Sequence, residues 1–468
     1  MPALTPRARL LGPPEAAAAA RPGRRSPAIA TCAALLGFAV ITIDVSAVNI
    51  ALPAIRSSLH GGITGQQWVV DAYTLMFAAL MLSAGSLADR SGARSAYAWG
   101  VGLFTLASLG CALAPDIGTL ITARVLQGAA AAVVMPASLA LIRQAHDDPK
   151  RRAHAVALWS VGGSLAMAVG PVLGGVLAEA ADWRAVFLLN LPLGLLILAL
   201  LLGVERSAKR PAPFDPAGQI AAVLVLAAVA YAMIEGGHAG WTSWPVAAAL
   251  AVAVAAAVTF RAVEARHRSP MVPLDMLRQR EVSVPLAVGF AISAGYYGTF
   301  FTLGLYYQQL RGMSGTQAGL MFVPIALVAT IASLRTPRLV ERFGRRRVIV
   351  QGQLVLAASL LVLLGFGTGT PHWALLLLLL PFGIGTLTVP ALTALLMDSV
   401  PGHRTGIASG LLNSLRQTGG ALAVALFGSL VATQHDAYDL GGLRVSLLLA
   451  AALLCATAAL SQRALPRS

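Results

Sequence analysis

The chain is divided by short polar segments into long apolar runs, and this pattern constrains its fold more than any other feature. A bilayer crossing needs about 20 mostly apolar residues, and fourteen runs meet that need. They lie near 30–52, 66–87, 96–114, 118–142, 154–178, 185–204, 216–235, 245–262, 283–307, 316–335, 347–367, 373–397, 406–430 and 442–461. Each must be helical, because backbone amides in lipid need partners within their own segment. We predict an all-α polytopic membrane protein.

Composition supports this class, because 57% of the side chains are hydrophobic and only 11% are charged. A soluble domain cannot hide so much apolar surface. The net charge is +15. A nucleic-acid-binding protein has its basic residues clustered on one solvated face, yet here they are scattered between apolar runs. We therefore expect no nucleic-acid partner. Cys32, Cys111 and Cys455 all lie inside apolar runs, so we expect neither disulfides nor a metal site.

The basic residues also predict the orientation, since Lys and Arg collect in cytoplasmic loops. Most of them lie in the tail 1–28 and in the segments 143–152, 261–280 and 335–347. All four segments fall inside if both termini are cytoplasmic. The first apolar run is too long for a signal-peptide core and lacks a clear cleavage site, so we expect it to be retained. The preference for Arg over Lys indicates a GC-rich bacterial genome, hence a bacterial cytoplasmic membrane.

One charged motif occurs twice, each time at the predicted cytoplasmic end of the second helix of a six-helix block. The copies are Gly85-Ser-Leu-Ala-Asp89-Arg90-Ser-Gly92-Ala-Arg94 and Leu339-Val-Glu341-Arg342-Phe-Gly344-Arg-Arg346. Such a repeat predicts two parallel six-helix bundles around a midplane site. The predicted parts are a cytoplasmic tail (1–28), an N-terminal bundle (29–205), an inserted helix pair (206–282), a C-terminal bundle (283–462) and a cytoplasmic C-terminus (463–468).

Several motifs together resemble a known family. The loop motif resembles the signature loop of major facilitator transporters, although Ala93 stands where a second basic residue is common. Arg124-Val-Leu-Gln-Gly resembles their buried-arginine motif, and Gly170-Pro171-Val-Leu-Gly174-Gly175 is similar to their antiporter motif. The segment from Asp44 to Pro53 resembles the first-helix signature of fourteen-helix drug:proton antiporters of the QacA/EmrB type, and 183–192 and 416–419 also fit that family. The resemblance implies the major facilitator fold and proton-coupled efflux of lipophilic or cationic drugs.

Charged side chains inside the spans are the first candidates for the site, because they are costly there and mark function by default. Asp44, Asp71, Arg124 and Arg416 are such residues. We expect Asp44, Asp71 and Arg124 to couple transport to protons. The substrate would bind deprotonated Asp44 from inside, the protein would rock outward, and external protons would displace the substrate. A permanently neutral Asp44 or a purely structural ion pair are the alternatives.

Further residues are candidates for binding and gating. Asp44, Asn49, Tyr73, Tyr297 and Glu235 are predicted to bind substrate, the two tyrosines as aromatic surfaces for a cation. Most aromatic residues at span ends are only interfacial anchors, and Glu235 is otherwise a solvated acid at a helix end. Gating is assigned to Gly85, Asp89, Arg90, Gly92, Arg94, Glu341, Arg342 and Arg346. By resemblance, Gly170, Pro171, Gly174 and Gly175 form the antiporter motif.

The energy source is predicted to be a proton gradient, with no cofactor. No GxxxxGK[ST] stretch is present and no soluble region is long enough for a nucleotide-binding domain. The expected partners are a small-molecule substrate, protons and the lipid bilayer, with the protein acting as a monomer. An exporter or facilitator of one metabolite, such as an amino acid, a sugar or a self-made antibiotic, is the main alternative. A membrane enzyme is remote, because no His pairs convincingly with an acid.

Overall fold

The computed structural model describes residues 27–207, 209, 215–267, 270–365, 367, 369–401, 404–432 and 438–465. The predicted tail 1–28 therefore lies almost wholly outside the described residues. Within them the chain is helical, and the β pairing consists of a single bridge between Ala432 and Tyr438. This all-α architecture is the predicted fold class.

The helices follow the apolar runs of the sequence. The first seven are α1 (Pro27–Leu59), α2 (Gly62–Ser91), α3 (Ala93–Ala112), α4 (Ile117–Ala145), α5 (Pro149–Ala180), α6 (Arg184–Leu188) and α7 (Asn190–Leu202). The next three are α8 (Pro216–Ala239), α9 (Trp244–Arg266) and α10 (Leu274–Leu277). The last seven are α11 (Arg280–Leu305), α12 (Gly315–Phe343), α13 (Arg345–Val362), α14 (His372–Ile384), α15 (Thr388–Asp398), α16 (Thr405–Val431) and α17 (Leu440–Ala464). A π-helical segment, Tyr306–Leu310, continues α11.

The predicted count of fourteen spans is not confirmed. Among the described residues, twelve helical stretches are long and apolar enough to cross a bilayer, and α2 makes a thirteenth if its two parts, bent by 63°, count as one span. The predicted span 406–430 coincides with α16, which is not among the twelve. The middle of α16 carries Asn413, Arg416 and Gln417, and these polar side chains lower its hydropathy.

Two groups of helices, α1–α7 and α11–α17, pack against each other. Their main contacts join α2 to α16 and α5 to α12, and α1 also touches α11 and α12. The pair α8 and α9 packs together, and α8 also packs on α2 and α16. We call the side of the molecule where α1 begins the tail side and the opposite side the far side. Division into two bundles and an inserted pair stays a prediction.

The outer surface is apolar, as a bilayer requires. Large hydrophobic side chains that are more than 60% exposed occur on helices from both groups, including Trp99, Leu106, Leu195, Leu334 and Trp373. In water such a surface would be a severe aggregation liability. It is therefore the lipid-facing surface of a multi-pass membrane protein.

Candidate functional site

Asp44 and Arg124 form an ion pair in the interior of the first group of helices. Nη1 of Arg124 lies 2.6 Å from Oδ2 of Asp44, and neither side chain is more than 1% exposed. Gln127 links both partners, because its Oε1 accepts from Arg124 at 2.7 Å and its Nε2 donates to Asp44 Oδ1 at 2.9 Å. Arg124 and Gln127 are three residues apart on α4 and so share one helix face.

Other helices supply the rest of this network. Asn190 Nδ2 donates to Asp44 Oδ1 at 2.8 Å and to Ser108 Oγ at 3.2 Å. Arg124 Nε donates to the carbonyl of Val69 at 3.0 Å. The network therefore joins α1, α2, α3, α4 and α7 around one neutral ion pair. Removing one partner of such a pair costs about 3–5 kcal/mol, because the other charge stays buried.

Tyr73 packs against this network and does not line the cavity described below, so its role in substrate binding stays a prediction. The guanidinium carbon of Arg124 lies 4.2 Å from the centre of the Tyr73 ring, within the range of a cation–π contact. The ring is fully buried, and its hydroxyl has no hydrogen-bond partner among the described residues. Tyr73 thus covers one face of the Arg124 guanidinium.

A cavity of about 420 Å³ lies between the two groups of helices. This volume falls in the range of pockets for drug-sized ligands. Most of the lining is apolar, and Phe38 and Trp159 stack in it with ring centroids 4.0 Å apart. The polar lining includes Thr42, Ser293, Tyr297, Asn413, Arg416 and Gln417. Of the predicted substrate-binding residues, only Tyr297 lines this cavity.

Asp44 lies behind the cavity wall. The cavity-lining residues of α1 are Phe38, Ile41, Thr42 and Val45, which recur at helical spacing on one face. Asp44 is not among these lining residues and is fully buried. In this conformation a substrate in the cavity therefore cannot touch the carboxylate.

Asp71 is fully buried on α2, and neither carboxylate oxygen has a hydrogen-bond partner among the described residues. It lies where α2 packs on α16, since Gln67 donates to the Ala425 carbonyl at 2.6 Å and Ser414 donates to the Ala78 carbonyl at 2.7 Å. An isolated ionised carboxylate is too costly in such a place. The proton-coupling role of Asp71 stays a prediction.

Two predicted substrate-binding residues lie elsewhere. Asn49 is buried on α1, and its Nδ2 donates to the Val45 carbonyl at 2.9 Å within the same helix. Glu235 is half-buried near the end of α8. Neither lines the cavity, so their binding role stays a prediction.

The repeated loop motif has the same geometry in both copies. Gly92 and Gly344 have φ of 84° and 80°, a left-handed conformation that favours glycine. Two residues later, Arg94 donates to a backbone carbonyl near the end of α7 at 2.9 Å, and Arg346 donates to one just after α17 at 3.4 Å. Each arginine thus ties the loop to the last helix of its own group.

The remaining residues of the loop motif face outward. The side chains of Asp89, Arg90, Glu341 and Arg342 are exposed. A methyl group added at Gly85 would meet no atom within 4 Å. Among the described residues, no hydrogen bond or ion pair joins these side chains to the other group of helices. Their role in gating stays a prediction.

The glycine motif of α5 allows close helix packing. Added methyl groups at Gly170 and Gly174 would overlap α1, and one at Gly175 would lie 2.5 Å from a backbone nitrogen in the first turn of α12. From the other side, a methyl group on Gly319 would lie 2.7 Å from the carbonyl carbon of Pro171. The motif therefore packs α5 closely against α1 of its own group and against α12 of the other group.

Hydrogen bonds near these glycines close the far side. They are Arg56–Gln309 (3.3 Å), Gln308–Ile50 (3.0 Å) and two from Thr316 to Glu179 (2.9 and 2.7 Å). The cavity-lining residues of α1 and α5 precede these contacts along their helices. The cavity therefore lies on the tail side of a closed far side.

Comparison with known proteins fits this arrangement of helices. The family "Major Facilitator Superfamily" matches residues 34–424, most of the chain. The chain belongs to the major facilitator superfamily. Its membership confirms the resemblance drawn from the motifs, and the relatives described next are consistent with the drug:proton antiporters of that superfamily.

Curated relatives of this major facilitator protein are named for drug resistance. One is the methylenomycin A resistance protein of Streptomyces coelicolor, 35% identical over 88% of this chain and 90% of its own length. Another is the multidrug resistance protein Stp of Mycobacterium tuberculosis, 36% identical over 85% of this chain and 74% of its own length. Drug efflux, as predicted, is the function that these relatives support.

Solved structures of the superfamily share the fold. A peptide transporter matches with a TM-score of 0.67 at 16% identity, covering 94% of this chain and 95% of its own. A D-xylose–proton symporter matches with a TM-score of 0.63 at 15% identity, covering 91% and 96%. At such identities the likeness concerns the fold alone.

Sequence reasoning assigned no site role to Ser108, Gln127, Asn190 or Arg416. The first three are uncharged and look like ordinary polar residues of a span. Arg416 carried the same signal as Arg124, a guanidinium inside an apolar run. Its place in the cavity wall depends on the rotation of α16, which the sequence alone leaves open.

Proposed function

We propose that this major facilitator protein exports amphipathic drugs or toxic compounds across the cytoplasmic membrane in exchange for protons. One observation carries the proposal: a drug-sized cavity between the two groups of helices is lined by Val45, the chain neighbour of Asp44, whose carboxylate is buried in an ion pair with Arg124. A carboxylate at that depth binds and releases protons only when water reaches it. Alternating access supplies that water in one conformation and excludes it in the other.

The orientation and energy source belong to the same proposal. With the tail side in the cytoplasm, as the basic loops favour, the closed far side makes this an inward-facing conformation. The protein works as a monomer, needs no cofactor and performs no chemistry on its substrate. Names such as those of the methylenomycin A and puromycin resistance proteins support antibiotics as the substrate class.

The test uses purified protein in proteoliposomes with a pH-sensitive dye inside. Under an imposed proton gradient, methylenomycin A, puromycin and ethidium are added one at a time. We expect substrate-dependent proton movement in the wild type and none in Asp44→Asn. Proton-independent flux of a substrate in the wild type would contradict antiport and favour a facilitator.

A second variant separates coupling from folding. Asp44→Asn leaves the Arg124 charge unpaired, and this loss alone destabilises the protein. The double variant Asp44→Asn with Arg124→Gln keeps the site neutral and should recover most of the thermal stability. Coupling should still be absent, because no titratable group remains in the pair.

A further inference from the structure

Arg416 is the one charged side chain among the described residues that line the central cavity. Within the described part of the chain, its Nε has no hydrogen-bond partner, and its Nη1 lies 3.5 Å from Oδ1 of Asn413, at the limit of a hydrogen bond. The ion pairs of the described residues do not include it. Among the described residues, the guanidinium in this cavity therefore has no counter-ion.

The fold directs this guanidinium into the cavity. Gly289 on α11 leaves room for the stem of Arg416, whose Cγ would lie 3.1 Å from a methyl group added there. Ser293 and Tyr297 follow on the same helix and line the cavity beside it. The hydroxyl groups and the guanidinium thus form one polar wall, opposite the stacked rings of Phe38 and Trp159.

Neither acid of the membrane interior neutralises Arg416. Asp44 is paired with Arg124 and lies behind the wall. Asp71 lies on α2, which runs antiparallel to α16 in a register set by the bonds from Gln67 and Ser414. In that register Asp71 lies opposite Ala421 of α16, five residues after Arg416. Five residues correspond to about 7.5 Å along the helix axis. Among the described residues, the cavity therefore carries one positive charge that no acid neutralises.

We propose that the cavity binds amphipathic compounds that carry a carboxylate or a similar anionic group, with Arg416 as their counter-ion. The inference rests on the proposed export function and narrows its substrate class. A guanidinium matches a carboxylate with two parallel hydrogen bonds, and a charge that is costly in the membrane is retained where it pairs with a ligand. A cationic drug would instead meet an uncompensated like charge.

Equilibrium binding to the purified protein tests the charge preference without any transport. Fluorescein and rhodamine 123 share a xanthene ring system and carry opposite charges, so fluorescence anisotropy compares them directly. We expect fluorescein to bind more tightly than rhodamine 123. Failure of fluorescein to bind, or equal or tighter binding of rhodamine 123, would overturn the proposal.

Three variants test whether Arg416 causes this preference for an anionic ligand. Arg416→Gln should weaken fluorescein binding by about 10- to 150-fold, the worth of a hydrogen-bonded charge. Asn413→Asp is nearly isosteric and places a carboxylate beside Arg416, so it should weaken fluorescein binding similarly while the protein stays folded. Arg416→Lys keeps the charge and should retain most of the affinity. Unchanged binding in the properly folded Asn413→Asp variant would remove Arg416 from the site.

Transport under a membrane potential separates this inference from the proposed function. Exchange of one proton for one monoanion moves two charges per cycle, and exchange for a dianion such as fluorescein at neutral pH moves three, whereas exchange for a monovalent cation moves none. One transferred charge supports a tenfold concentration ratio for each 59 mV or so, so the same potential supports about a thousandfold ratio of dianionic fluorescein. Fluorescein binding without proton movement would refute antiport and leave the anion site standing. Potential-independent export of fluorescein coupled to protons would contradict this charge count and with it the anion as transported species.

Discussion

Gly175→Ala should open the far side of the protein. Gly175 of α5 touches the first turn of α12, and a methyl group there would lie 2.5 Å from the backbone nitrogen of Thr316 and closer still to the carbonyl group of Gly315. Both atoms are backbone, so no side chain can swing away. The two helices must separate, and α5 and α12 belong to different groups.

The size of the effect follows from the cost of overpacking. Forcing an extra methyl group into a tight contact costs about 1–3 kcal/mol. This contact exists only while the far side is closed, so the cost falls on the closed conformation. The equilibrium should therefore shift toward the open conformation by roughly 5- to 150-fold.

Spin labels on the two groups measure that shift. Ser58 and His372 are exposed near the far side, and labelled cysteines there, with the three native cysteines replaced, report the distance between the groups. Gly102→Ala is the matched control, since a methyl group at Gly102 of α3 meets no atom within 4 Å. A distance distribution in Gly175→Ala identical to that of the control would refute the reasoning.

Three further changes have defined outcomes. Glu179→Ala removes both hydrogen bonds to Thr316 and should open the far side a few-fold in the same distance measurement. Gly92→Ala forces a side chain into a left-handed conformation with φ of 84°, so it should lower stability by about 1–2 kcal/mol in thermal unfolding. The Arg404 side chain holds the pKa of Asp275 below its usual value. The contact between Arg404 and Asp275 should persist above the pKa of an unfolded Asp, about 3.9, and be lost as the pH falls through the lower pKa of folded Asp275. Hydrogen exchange of the α10 amides would measure this loss.

The sequence predicted the helices well because hydropathy acts locally. Each predicted span overlaps a helix, and the repeated motif recurs in the left-handed glycines and in the arginine contacts that follow them. It also singled out Asp44 and Arg124 as charges inside spans, and the structure pairs them with each other. The predicted span 406–430 is helical as α16 but is not confirmed as a crossing by its hydropathy, because its polar residues face other helices or the cavity rather than lipid.

The cavity wall was harder to predict, because it depends on how each helix is rotated. Helix α1 is apolar around most of its circumference, so the sequence does not indicate that Thr42 faces the cavity and Asp44 faces α4. Tyr73 and Tyr297 looked alike as aromatic candidates, yet Tyr73 covers Arg124 and Tyr297 lines the cavity. Contacts between distant helices decide these rotations.

The position of Asp44 changes how proton and drug can be coupled. If the two competed directly for Asp44, then Asp44→Asn would abolish drug binding. Behind the wall, Asp44 instead acts through the packing of α1 and α4, because protonation removes its charge from Arg124. We therefore expect Asp44→Asn to bind fluorescein within a few-fold of the wild type while losing proton-coupled export. Loss of binding in a folded Asp44→Asn protein would restore direct competition and place the carboxylate in the drug site.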